Sequence, residues 1–165
     1  MPDEPRRVIV NTAPIISLSL IRRLDLLRDL YQEVLIPPAV RQETLRGGAR
    51  ETGVSDLQRA DWIRTAPLQD PRRADLLSDL DRGEAEVLAL AQESHADLVV
   101  IDERLARRHA RRLGINLTGT LGVLLRAKKR GLVSEIRPLV ERIHRGGIYL
   151  SQRLIEEALR LADEL

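Results

Sequence analysis

Apolar positions along the chain follow two rhythms. RRVIV (6–10), EVLIP (33–37), DLVVI (97–101) and INLTG (115–119) are short β-type runs, the compact kind that a parallel sheet covered on both faces requires. WIRTAP (62–67) reads as a fifth, shorter strand. Between these runs the period changes to that of helices. TAPIISLSLI (12–21) and RRLDLLRDL (22–30) follow the first strand, with Pro14 in a first turn, where its missing N–H costs nothing. Pro37-Pro38 stop the second strand and open the helix PPAVRQETL, which Gly47-Gly48 end. VSDLQRADW (54–62) predicts a helix, Asp70-Pro71 a helix start, and DRGEAEVLALAQESHA (81–96) a strong helix of good formers. An arginine-rich helix follows Asp102-Glu103. TLGVLLRAKKRG (120–131), SEIRPLVERIHRGG (134–147) and SQRLIEEALRLADEL (151–165) finish the chain as helices, with Thr120 and Ser151 as caps.

Strands alternating with helices predict an α/β fold: three layers, with a central, mainly parallel sheet flanked by helices. A chain of 165 residues is expected to form one domain, 1–165, with a helical C-terminal extension over about 134–165. The absence of cysteine excludes a disulfide scaffold and a thiolate metal site, and fits a reducing cytoplasm. No apolar run approaches the roughly 18 residues of a membrane span, so a cytoplasmic protein is expected.

Charge changes the picture more than composition does. The net charge is only +2, yet residues 104–145 carry 12 Arg and Lys against 2 acids. A tract of that kind suits phosphate binding through counterion release. It equally suits a solvated helix face, since arginine outnumbers lysine 25 to 2 throughout. Aromatics make up only 2%, with no Phe, which argues against a base-stacking platform.

In an open parallel sheet, ligands bind beyond the carboxyl ends of the strands, where the strand order reverses. Asn11 and Thr12 directly follow the first strand, and Asp102 and Glu103 directly follow the strand 97–101. Glu43 lies about one and a half turns into the helix after the second strand, and Glu84 stands near the start of the helix 81–96. Three carboxylates and an amide oxygen on one rim would suit a hard cation such as Mg²⁺ or Mn²⁺. Each residue also has a local role open to it. Asp102 can cap the arginine-rich helix, and Asp81-Arg82-Gly83-Glu84 has the spacing of a capping box. Glu43 can be a solvated surface acid, and Asn11-Thr12 a turn.

Other chemistries find less support. A receiver-like phosphoacceptor needs a lysine at a late strand end, and the only lysines, Lys128 and Lys129, fall within a helix. His95, His109 and His144 lack metal-ligand spacing, and there is no Gly-rich phosphate loop, Ser nucleophile elbow or zinc motif.

Taken in order, VIVNTAPIISL, VLIPPAVRQE, LDRGEAEVLALA, LVVIDERLARRHA and LTGTLGVLLRAKKRGL resemble the PIN-domain family, the nuclease fold of VapC-type toxins, in an uncharacterised VapC-like branch. The resemblance runs from about residue 7 to 160. It implies a Mg- or Mn-dependent single-strand ribonuclease, the toxin of a toxin–antitoxin pair, neutralised by a small antitoxin protein and forming a homodimer. A catalytically weakened PIN domain that binds RNA or protein is the alternative. The implied metal ligands and catalytic residues are Asn11, Glu43, Glu84 and Asp102, supported by Thr12, Thr120 and Glu103. The basic region would hold the RNA backbone through Arg104, Arg107, Arg108, Arg126 and Lys128. In one respect the chain departs from the family: Asn11 stands where the first acid is expected. Asparagine keeps an oxygen ligand but removes a negative charge, and Glu103, Glu86 and Asp81 are the acids near enough in the pattern to make it up.

Overall fold

The structure is a computed structural model that describes residues 5–47 and 51–165, without the side chains of Glu51 and Thr52. Gly48, expected with Gly47 to end a helix, lies outside the described residues. Five strands form: β1 (Arg7–Val10), β2 (Glu33–Ile36), β3 (Ile63–Thr65), β4 (Leu98–Val100) and β5 (Leu117–Thr118). The helices are α1 (Thr12–Leu20), α2 (Asp25–Leu30), α3 (Pro38–Leu45), α4 (Glu51–Arg59), α5 (Arg72–Asp75), α6 (Arg82–Ser94), α7 (Arg104–Arg112), α8 (Thr120–Lys129), α9 (Arg137–Arg145) and α10 (Gln152–Leu161).

All five strands pair in parallel, in the order β3-β2-β1-β4-β5. The chain steps from β1 to β2 to β3 in one direction, then returns across the sheet to lay β4 and β5 on the other side of β1. The strand order therefore reverses between β1 and β4. Residues 8–10 and 99–101 are fully buried, so both faces of these central strands lie under helices. This is why their sequence is apolar without alternation. Helices cover both faces of the sheet, and α3 packs on α6 as well as on α1 and α4. α1 packs on α3, α4, α8 and α9, and α2 and α10 pack on α8; α6 packs on β1, β4, α5 and α7. The result is a three-layer α/β arrangement, with a sheet that is wholly rather than mainly parallel. Among the described residues, no helix is long and apolar enough to cross a membrane.

Several boundaries differ from expectation, for local reasons. The helical pattern over 12–30 breaks at Arg22, whose φ of 58° is left-handed. Its N–H and that of Arg23 close the end of α1 on the Ser19 and Leu18 carbonyls. The helix expected over 54–62 begins earlier and ends before Trp62, because the chain must enter β3. In α9 the start is set by Pro138 in the first turn, and the Glu164 carboxylate accepts the Ile136 and Arg137 N–H groups at 2.8 Å each. Neither expected cap forms. Gly119, not Thr120, is the N-cap of α8, and Ser151 holds the N-cap position of α10 without a side-chain bond.

Candidate active site

The carboxyl ends of β1 and β4 open onto the reversal point. Asn11 is the first residue beyond β1, and its N–H donates to the Val100 carbonyl of β4 at 3.0 Å. Asn11 also holds the N-cap position of α1, yet its side chain makes no cap. Its Oδ1 is buried without a hydrogen-bond partner among the described residues. A buried amide oxygen left unpaired costs about 1–3 kcal/mol, so its retention calls for an explanation.

Beyond β4 the chain reaches Asp102. Its carboxylate does not cap α7; Glu103 does, weakly, accepting the Leu105 N–H at 3.5 Å. Asp102 turns to the start of α8 instead. There it accepts the Thr120 N–H on Oδ1 at 2.7 Å and the Thr120 hydroxyl on Oδ2 at 2.6 Å. This anchorage uses the positive end of a helix. It also needs Gly119, where a β-carbon would stand 2.6 Å from Asp102 Oδ1 and 2.9 Å from Arg107 Nη1.

Pro38 opens α3 at its first position, and the Ala39 N–H beside it donates to Glu86 Oε1 at 3.1 Å, tying α3 to α6. One turn on, Glu43 turns toward α1 and accepts the Thr12 hydroxyl at 2.9 Å. Its carboxylate also lies against Gly83 in the first turn of α6. The capping box expected from the spacing is present: Glu84 N–H donates to Asp81 Oδ1 at 2.8 Å, and Asp81 N–H to Glu84 Oε1 at 3.2 Å. Capping does not exhaust Glu84. Burial pushes its carboxyl up to about 7, with the charges of Asp81 and Glu103 acting in the same direction. The Glu103 contribution links the end of β4 to the start of α6.

A sequence model of the PIN domain matches residues 7–164. The chain belongs to the PIN-domain family. A search of curated proteins finds no match to it. PIN domains are a nuclease fold whose members generally use divalent metal ions. In this PIN domain Asn11, Glu43, Glu84 and Asp102 carry hard oxygen donors of the type such an ion takes. The unpartnered Asn11 Oδ1 is the observation that fits best. The raised Glu84 carboxyl fits too, since a nearby cation would favour its charged form.

The rim is not drawn to a single point. Among the described residues, no group of three or more Asp, Glu, His or Cys side chains is placed to hold a metal ion. Each carboxylate is held by its own donor, Thr12, Asp81 or Thr120. Of the acids expected to make up the charge missing at Asn11, Glu86 is held by Ala39 and by Arg82 at 2.8 Å, and Asp81 is held in the capping box. Glu103 is exposed beside the rim.

The basic residues divide. Arg104 and Arg108 lie exposed on α7, which starts at the rim. Arg107 is half-buried and donates to the Ile101 carbonyl at 2.9 Å; burial, then Arg111, lowers its pKa while Asp102 opposes the shift. Arg126 lies 5.9 Å from the Tyr31 ring centroid, with its Nε buried. The Lys128 ammonium is bonded to the Ala162 carbonyl and, at 3.0 Å, to Glu164. Arg107 and Lys128 are thus bonded within the fold, and Arg126 lies against Tyr31. The pattern of basic residues gave no sign of this, because each partner lies on a different element.

Proposed function

We propose that this PIN domain is a Mg- or Mn-dependent ribonuclease that hydrolyses single-stranded RNA, acting in the cytoplasm as the toxin of a toxin–antitoxin pair. The observation that carries the reading is Asn11 Oδ1, buried and unpartnered where the strand order reverses, with Asp102 at the end of the neighbouring strand. Asn11, Glu43, Glu84 and Asp102 would hold the metal, which when bound supplies an activated water for attack on a phosphodiester and neutralises charge on the leaving oxygen. Thr12 orients Glu43, and Thr120 fixes Asp102 through both carboxylate oxygens. Glu43 or Glu84 would orient the attacking water. Arg104 and Arg108 would meet the phosphates of the bound strand, with Glu103 at its edge. A small antitoxin protein covering the rim and a homodimer complete the proposal.

A second reading is a PIN domain that binds RNA or a protein without cutting. Asparagine at position 11 and the separate anchorage of the three carboxylates favour it. Cleavage of single-stranded RNA in Mn²⁺ decides between them. Activity in the wild type that Asp102→Asn abolishes supports the nuclease; RNA binding without cleavage in either protein supports the second reading.

A further inference from the structure

Gly83 sits one residue before Glu84 in the first turn of α6, between the two members of the capping box. Nothing in its backbone calls for glycine, since its φ is not left-handed. Glycine weakens a helix relative to alanine, so a glycine here needs another reason. The reason lies across the rim. A β-carbon at Gly83 would stand 2.9 Å from both Cδ and Oε2 of Glu43, and closer still to Oε1. The Glu43 carboxylate, carried by α3, therefore fills the space that an alanine methyl would take. Its other hold is the Thr12 hydroxyl of α1 at 2.9 Å.

We infer that Gly83 is a positioning residue of the candidate metal centre: lacking a side chain, it lets the Glu43 carboxylate lie on the first turn of α6, beside Glu84. The contact stands on geometry alone, and its consequence for a metal rests on the proposed nuclease reading. Glu43 meets Gly83 with the mobile end of a flexible side chain. A methyl there moves the carboxylate rather than the helix. Gly83→Ala should thus leave the thermal midpoint within a few degrees of wild type while taking Glu43 out of place.

Two measurements separate the contact from its consequence. The first is the Thr12 methyl chemical shift without divalent ions, in wild type, Gly83→Ala and Glu43→Ala. Displacement of the carboxylate shifts the Thr12 signal in Gly83→Ala in the direction that Glu43→Ala shifts it. The second is Mn²⁺ affinity, read from the free-ion electron paramagnetic resonance signal. Gly83→Ala should lower it about tenfold, which is 1.4 kcal/mol, and should add no further loss in a Glu43→Ala background. Glu43→Asp, one methylene shorter, should restore part of the affinity in Gly83→Ala. An unmoved Thr12 signal in Gly83→Ala overturns the contact. A moved signal with Mn²⁺ affinity unchanged in both single variants leaves the contact but overturns the role of Glu43 at a metal, and with it the positioning role.

Discussion

Replacing Glu84 by Gln removes a charge that the fold holds at a cost. Burial, then the charges of Asp81 and Glu103, raise this carboxyl from 4.5 to about 7 in the native chain. A carboxyl whose pKa is higher folded than unfolded binds its proton more tightly in the native state. Its stabilisation is complete below pH 4.5 and is lost as pH rises through about 7. At about 1.4 kcal/mol per pH unit, the wild type should lose about 2–3 kcal/mol through this group between pH 5 and pH 8. Gln keeps an Oε1 acceptor for the Asp81 N–H, held at 3.2 Å in the native chain, so the capping box survives the substitution. The assay is urea unfolding of both proteins across that range in a chelating buffer. His95, His109 and His144 are present in both and cancel in the difference. The difference should favour Glu84→Gln at pH 8 and shrink by about 2–3 kcal/mol on going to pH 5. Parallel profiles for the two proteins would refute the burial argument.

Other substitutions probe the rim and its surroundings. Asp102→Asn keeps an acceptor for the Thr120 N–H, and the Thr120 hydroxyl can turn to accept from the new amide, so stability should change by less than about 1 kcal/mol while the lost charge cuts RNA cleavage about 100-fold or more. Gly119→Ala forces a methyl to 2.6 Å from Asp102 Oδ1 and 2.9 Å from Arg107 Nη1, and cleavage should fall while far-ultraviolet circular dichroism stays native. Lys128→Ala should lower stability by about 1–2 kcal/mol in chemical unfolding and leave RNA affinity alone, because its ammonium serves Ala162 and Glu164. Arg104→Ala and Arg108→Ala should each weaken RNA binding and reduce the salt slope by about 0.7, measured by fluorescence anisotropy across salt concentrations.

What the sequence discloses depends on how local the determining contact is. The strands are legible because β1 and β4 are buried on both faces, which leaves a continuous apolar run. The place of Asn11 and Asp102 at the rim follows from the same fact, since each comes directly after such a run. The Asp81–Glu84 box is legible from spacing alone, because both members lie within one turn. The hold of Glu43 on Gly83 is not, since it joins elements 40 residues apart that meet only once α3 docks on α6. The same limit applies to the arginines and lysines. Arg126 over Tyr31 and Lys128 on the C-terminal segment look in the sequence like Arg104 and Arg108, which are exposed. The bond from the Thr120 hydroxyl to Asp102 is not legible either, because it joins residues 18 apart that meet only when α8 docks at the end of β4.

The central claim is that oxygens from β1, α3, α6 and β4 together serve one divalent ion. Crystals grown with millimolar Mn²⁺ and measured at the manganese absorption edge test it most directly. The account predicts an anomalous peak bonded to Asn11 Oδ1 and Asp102, with Glu43 or Glu84 completing the ligands. A peak elsewhere on the molecule, or none at this rim, would contradict it.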